Sequence, residues 1–479
     1  MALKFECKRP TQLVGQKILQ KIHDHSLELL SEAGLCLQDD QALQLLAENG
    51  CDIDLEKQIA KFPPELIEQA LKDSPKEFTL RSRDAAHHIQ FKKNIVQFGP
   101  CCGMKVMDPL TDTMRPGLFG DVEEVARLCE MTDIMAGANA GLGYMEDCPH
   151  ETNLVCMYYA TIRNTSKVFS LGAMDDSVKW GIRMAQVMDQ DVIVPVTSSS
   201  PLGWDGEQID AVRRATKAGL PIAMQSMASP GTTAPVSLIG AAVVMNTEIL
   251  GLLTLAQLFR PGTGVMYSCF NLPLDMRKAT LASGSMELAM LTGLSAQMAQ
   301  FYETGSMIWG PMTDSKSYDE QAGYEKGMGW LLAAMAGINL IWGAGMIENH
   351  TIWSHGQLLV DAEICQLVGR YLDGVNVSDD AFALNEIKNI GHFPNNYLAS
   401  KHTLEWFKKD HFFPELSSRD NYERWIKQDD RELLHRAQKK AVDMLKNHEP
   451  VYIPPEKDRE LKRLLDAAAK EKGLNSPFS

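Results

Sequence analysis

Aromatic residues make up only 7% of this 479-residue chain, and its ten cysteines include no C-x-x-C pair. Cysteines scattered singly (Cys7, Cys36, Cys51, Cys101, Cys102, Cys129, Cys148, Cys156, Cys269, Cys365) exclude a disulfide scaffold and predict reduced, buried thiols. Carboxylates outnumber cations, 62 to 47. A net charge of −15 argues against a nucleic-acid partner, which favours a basic face. The opening MALKFECKRPTQ lacks the apolar core of a signal peptide. The best candidate for a membrane span, Ile239–Phe259, carries Asn246, Thr247 and Glu248 near its middle. A carboxylate is costly at a bilayer centre, so this run predicts a core helix of a soluble, cytoplasmic protein.

The common catalytic signatures are missing too. No H-E-x-x-H or H-x-H spacing surrounds Glu348, His350 and His355, so no metal site is expected. Gly343-Ala344-Gly345 is not followed by the Gly-Lys-Ser/Thr of a P-loop, and no G-x-S-x-G elbow occurs. The D-x-H-x-x-G pattern of a cobalamin-binding domain is absent.

What is present is a large, regularly alternating apolar core. At 45% hydrophobic, the chain is long enough for a (β/α)₈ barrel with caps. Residues 13–75 read as helical, with Ile18, Ile22, Leu27, Leu30 and Leu35 at helical spacing. Residues 78–108 read as a small β element preceding the main domain. Apolar runs suited to buried parallel strands follow near 134–144, 167–172, 191–197, 221–228, 264–269, 305–309, 338–344 and 388–393. Helical stretches separate them, and one more follows the last run. Thr233 is expected to cap the helix that starts near Ala234. Eight strand–helix alternations predict a TIM (β/α)₈ barrel over 121–415. An N-terminal helical and small β cap covers 1–120, and a C-terminal helical extension covers 416–479. An insertion from about Asn376 to Ala399 surrounds the weakest strand.

Ligands bind at the strand C-termini of such a barrel. Residues expected there include Tyr144, Gln225, Trp309, Trp342, Glu348, His350 and Phe393. Phe98, Tyr144, Trp204, Trp309, Trp342 and Phe393 supply rings to this mouth, although each alone also reads as core or rim. Together they suit a quaternary ammonium ligand, which has no N–H to donate and is held by ring faces and carboxylates.

Several segments together resemble the trimethylamine methyltransferase family of corrinoid-dependent methyltransferases. They are Asp112-Thr113-Met114-Arg115-Pro116 with Asp121-Val122, Gly231–Val236, Asn246-Thr247-Glu248, and Asp275-Met276-Arg277 with Gly284-Ser285. Thr313-Asp314-Ser315-Lys316, Asp319–Lys326, Gly343-Ala344-Gly345 and His402-Thr403 continue the match, which runs from about residue 15 to about 450. The resemblance implies a TIM barrel whose mouth docks a separate corrinoid protein, with no cofactor bound tightly by this chain. It also implies methyl transfer from an amine to Co(I). The founding members carry pyrrolysine, which this sequence lacks, so a quaternary amine is the expected substrate. Glycine betaine comes first, with proline betaine, carnitine or another betaine as alternatives. On this reading Phe98, Trp309 and Trp342 cage the ammonium, with Tyr144 at the same mouth. Glu348 adds negative charge beside it, and His350 and Gln225 orient the carboxylate. A metal-dependent barrel hydrolase or lyase and a non-catalytic betaine-binding protein are the rival readings. A homo-oligomer is expected.

Overall fold

Short runs such as Ile222–Ser226 and Val265–Cys269 are buried along their whole length, which suits strands covered on both faces. In the computed structural model, residues 3–477 are described, apart from 102, 109–110, 112, 140–143 and 173–174. Cys102, Asp112 and part of the strand expected near 134–144 therefore lie outside the described residues.

Eight short strands form the centre of an α/β fold: β1 (Ile95–Pro100), β2 (Ala138–Asn139), β3 (Phe169–Ser170), β4 (Val194–Thr197), β5 (Ile222–Ser226), β6 (Val265–Cys269), β7 (Gly305–Trp309) and β8 (Leu340–Ala344). Parallel pairing runs β1–β8–β7–β6–β5–β4 in one sheet, and β2 pairs with β3 in another. Single parallel bridges, Phe98 with Met135 and Ser170 with Ile193, join the two sheets at both junctions. The ladders are not continuous there. A helix follows each strand, from Phe119–Met131 after β1 to His355–Asp373 after β8.

Two expectations about the strands are corrected. Residues 388–393 are not a strand: Leu384–Ile390 is a short helix, and Phe393 is 96% exposed. The missing strand is β1, expected in a preceding β element but paired with β8 from Leu340↔Gln97 to Ala344↔Pro100. Phe5–Glu6 adds an antiparallel edge to its start. Residues 13–75 are also less helical than expected, because three short strands separate the helices Gln16–Glu32, Asp40–Glu48 and Pro64–Asp73.

Local chemistry sets the helix starts. Asp205, Ser285, Asp319 and Ser354 each accept a backbone N–H three residues on, opening the helices after β4, β6, β7 and β8. Each such cap contributes about 1 kcal/mol. Thr233 behaves differently. Its hydroxyl donates to the Met227 carbonyl and accepts from the Ser229 N–H, closing a turn, and the helix starts later, at Leu238. That helix, Leu238–Phe259, is the one described helix long and apolar enough to cross a membrane, and 72% of its apolar window is buried. The nine described cysteines are free thiols, all buried but Cys36.

Candidate active site

Side chains opposite one another in register share a face of the sheet. Ser226 and Tyr267 reach outward to Glu248 and Asn246 on the helix Leu238–Phe259. Their neighbours Gln225 and Ser268 therefore point inward, in register with Thr197 and Met307. Two residues beyond Met307, Trp309 lies opposite Trp342, and Trp342 lies opposite Gly99. The interior at the strand C-termini thus carries Thr197, Gln225, Ser268, Trp309 and Trp342.

The two indoles meet edge to face, 6.3 Å between centroids. Trp342 fills a slot left by two glycines: a Cβ on Gly99 would lie 2.1 Å from the ring, and one on Gly137 would lie 2.6 Å from it. Trp342 is fully buried, and Trp309 keeps 9% exposure. Thr197 donates to Oε1 of Gln225 at 3.3 Å. Above them, Nδ1 of His350 lies 3.3 Å from the Cys101 sulfur, and its ring meets Phe270 edge to face at 5.1 Å. Burial, with the Lys326 charge adding, pushes the His350 imidazole down to about 3, so the ring is neutral at working pH.

Several polar atoms here have no partner. Trp309 Nε1, Trp342 Nε1, Ser268 Oγ, His350 Nε2 and Asn271 Oδ1 are all buried and unbonded. Other buried groups, such as Trp330 Nε1 and Trp353 Nε1, also have no partner, and what sets these five apart is that they share one end of the sheet.

The remaining candidates are placed apart. Phe98 faces outward, packed against Phe5 and Trp330 at 5.9 and 5.6 Å, because it alternates with the inward Gly99. Trp204 is buried beneath the β4 loop and donates Nε1 to the Glu248 carbonyl. Tyr144 is 39% exposed and tilts against His150. Glu348 is only two residues from His350, yet it lines a separate open cleft of about 690 Å³ with Lys105, Asp275, Asp314, Lys316 and Asn349. The cause is a turn in which Glu348, Asn349 and His350 all adopt positive φ (50°, 50° and 66°). Left-handed backbone costs roughly 1–2 kcal/mol per non-glycine residue and clusters at functional sites. Among the described residues, no group of three or more His, Cys, Asp or Glu is placed to hold a metal ion.

Sequence reasoning passed over the groups that hold these loops. Glu248, fully buried, accepts hydroxyls from Ser198, Ser200 and Ser226 at 2.7, 2.9 and 2.7 Å and the Leu202 N–H at 2.8 Å. Burial raises its carboxyl above the usual range, and the three serines pull it back in part. Lys326, also fully buried, donates to the carbonyls of Pro311, Gly343 and Met346 and lies 3.1 Å from Asp361. Asp361 accepts the Gly345 N–H at 2.8 Å and the Gln357 amide at 2.9 Å. The signal was a charged residue inside a buried helix, and it was visible for Glu248.

The family profile described as trimethylamine methyltransferase matches residues 4–473. The chain belongs to the trimethylamine methyltransferase family. Glycine betaine methyltransferase of Desulfitobacterium hafniense (strain Y51) is 29% identical over 466 residues, spanning 95% of this chain and 96% of that protein. Trimethylamine methyltransferase MttB of Methanosarcina thermophila is 31% identical over 455 residues, 90% of this chain and 92% of that one. The crystal structure of Methanosarcina barkeri monomethylamine methyltransferase shares the fold, with a TM-score of 0.50 at 13% identity, covering 94% of this chain and 99% of that one. The words that carry the resemblance have structural roles here. Arg115 grips Asp121 through two hydrogen bonds of 2.6 and 2.7 Å. Asp314 accepts from Ser283 and Gly284, and Glu325 accepts from Thr313 and Asp314, which ties the β6 and β7 loops together.

Proposed function

We propose that this chain moves a methyl group from a quaternary amine bearing a carboxylate, glycine betaine first, to the Co(I) of a corrinoid held by a separate protein. The observation that carries this reading is the pairing of two indoles with unbonded donors at one strand end. Ring faces attract a cation that cannot donate a hydrogen bond, at about 2 kcal/mol or more when desolvated. The unpaired Trp309 Nε1, Trp342 Nε1 and Ser268 Oγ need an acceptor, which a betaine carboxylate offers and trimethylamine does not. His350 Nε2, likewise unbonded, adds one more donor in the tautomer that carries its proton there. Gln225 completes this set.

The corrinoid of the partner supplies a two-electron nucleophile for the methyl carbon. The C–N bond breaks with its electron pair left on nitrogen, and the amine departs neutral. This chain's contribution is positioning and exclusion of water, which needs no acid or base at the nitrogen. Phe98 plays no part in the cage, because it faces the outer helices. Glu348 belongs to the rim, in the cleft the corrinoid protein approaches, and Tyr144 stands at its edge. We read the eight strands as a (β/α)₈ barrel starting at Ile95, with residues before it as a cap and 416–479 as a helical extension. The chain is assigned to the cytoplasm and to a homo-oligomer.

Incubation with the reduced corrinoid protein and separate samples of glycine betaine, proline betaine, carnitine and trimethylamine tests the reading. Mass spectrometry of the demethylated product should show dimethylglycine. Turnover of trimethylamine alone would contradict it.

A further inference from the structure

Polar side chains and indoles occupy different arcs of the interior. β4, β5 and β6 contribute Thr197, Gln225 and Ser268, whereas β7 and β8 contribute Trp309 and Trp342. The strands β2 and β3 extend the polar arc. Lys167, just before β3, reaches outward to the carbonyls of Cys129, Thr132 and Met135. Leu171 also faces outward, because a Cβ on Gly181 of the helix Val178–Val187 would lie 2.6 Å from it. Ser170, its neighbour, therefore faces inward, and Asn139 lies opposite Ser170 in register. The height follows from two glycines. Gly99 and Gly137 flank the Trp342 ring. Asn139 stands two residues beyond Gly137, as Cys101 stands two residues beyond Gly99, which is about 7 Å nearer the strand C-termini. That is the layer in which the Cys101 sulfur meets His350.

Asn139 is 5% exposed, and its Nδ2 is buried without a partner. Its neighbours on the arc are spent: Ser170 donates to the Leu171 carbonyl at 3.2 Å, and Thr197 donates to Gln225. Asn271 differs in sign, since its Nδ2 donates to the Ala228 carbonyl and leaves only an acceptor free. A buried amide N–H on this arc needs an acceptor, and a carboxylate oxygen is a strong one.

We propose that Asn139 binds the substrate carboxylate and sets the preference for a zwitterion over a simple cation, a role that rests on the methyl-transfer reading above. Its Nδ2 donates to a carboxylate oxygen while the indole faces hold the ammonium. The amide is uncharged, so it orients the carboxylate without repelling the ammonium, as a lysine or arginine there would.

Calorimetric titration of glycine betaine and of tetramethylammonium into the wild type, Asn139→Leu and Asn139→Asp tests the assignment. Leucine is close to the amide in shape and orphans no hydrogen-bonding group, so the Tm of the free variant should equal or exceed that of the wild type. Its affinity for glycine betaine should fall roughly 10- to 100-fold, with tetramethylammonium held within about twofold. Asn139→Asp should lose at least as much for glycine betaine and bind tetramethylammonium more tightly than the wild type does. Equal losses for both ligands in Asn139→Leu, or an unchanged affinity for glycine betaine, would overturn the assignment and leave the methyl-transfer reading standing. A wild type that binds neither ligand would overturn both.

Discussion

Two buried polar regions lie within one strand-length of each other and are built on opposite rules. Behind the sheet, Glu248 and the Lys326–Asp361 pair sit fully enclosed with every charged oxygen and nitrogen hydrogen-bonded. Inside it, the indole N–H groups of Trp309 and Trp342, the Ser268 hydroxyl and His350 Nε2 are equally enclosed and bonded to nothing. A satisfied buried network fixes backbone: Lys326 ties down the loops after β7 and β8, and Glu248 those after β4 and β5. An unsatisfied one is costly, at roughly 1–3 kcal/mol per group, and is retained where a ligand completes it. The outer region holds the inner one in shape.

Substitutions can break this contrast. The largest effect on stability is expected from Lys326→Met, which strands Asp361 without its cation. Thermal and urea unfolding should show a loss of about 3–5 kcal/mol. Glu248→Gln should cost less, about 1–3 kcal/mol in the same measurements, because an amide cannot accept from all four donors. Trp309→Leu should behave in the opposite way. Its N–H has no partner to orphan, so stability should fall only by the lost packing of a smaller side chain, about 1–3 kcal/mol, while kcat/KM for glycine betaine falls roughly 30-fold with the lost cation–π contact. Stability loss without kinetic loss at Trp309 would erase the distinction.

His350 adds a pH dependence. His350 is held down to about 3 in the folded chain, against an ordinary value of 6.5. Its contribution to stability is therefore complete above pH 6.5. It is lost as pH falls toward 3, since the unfolded chain binds a proton that the folded chain does not. In urea titrations from pH 7 to 4, His350→Asn should lose less stability than the wild type.

Legibility in the sequence followed the scale of the pattern. Long apolar runs such as Ile222–Ser226 and Leu340–Ala344 announce their strands, because burial on both faces leaves no polar alternation. The strand Ile95–Pro100 was misplaced because pairing with Leu340–Ala344, about 245 residues later, has no local signature. The period of two also decides between neighbours: Phe98 and Gly99 are adjacent, and only register shows which faces inward. Glu348 and His350 looked like one site because they are two residues apart. The left-handed turn between them sends one to the rim and the other inside. The glycines at 99 and 137 are visible as letters, but their use as a slot for Trp342 is a property of packing alone.

Calorimetric titration of glycine betaine into the wild type and into Trp309→Leu tests the central claim, that the unbonded interior groups are completed by a carboxylate-bearing quaternary amine. The account predicts measurable binding to the wild type, at least tenfold weaker binding to the variant, and weaker binding of tetramethylammonium than of glycine betaine to the wild type. Equal affinity of the two proteins for glycine betaine, or tighter binding of tetramethylammonium, would contradict it.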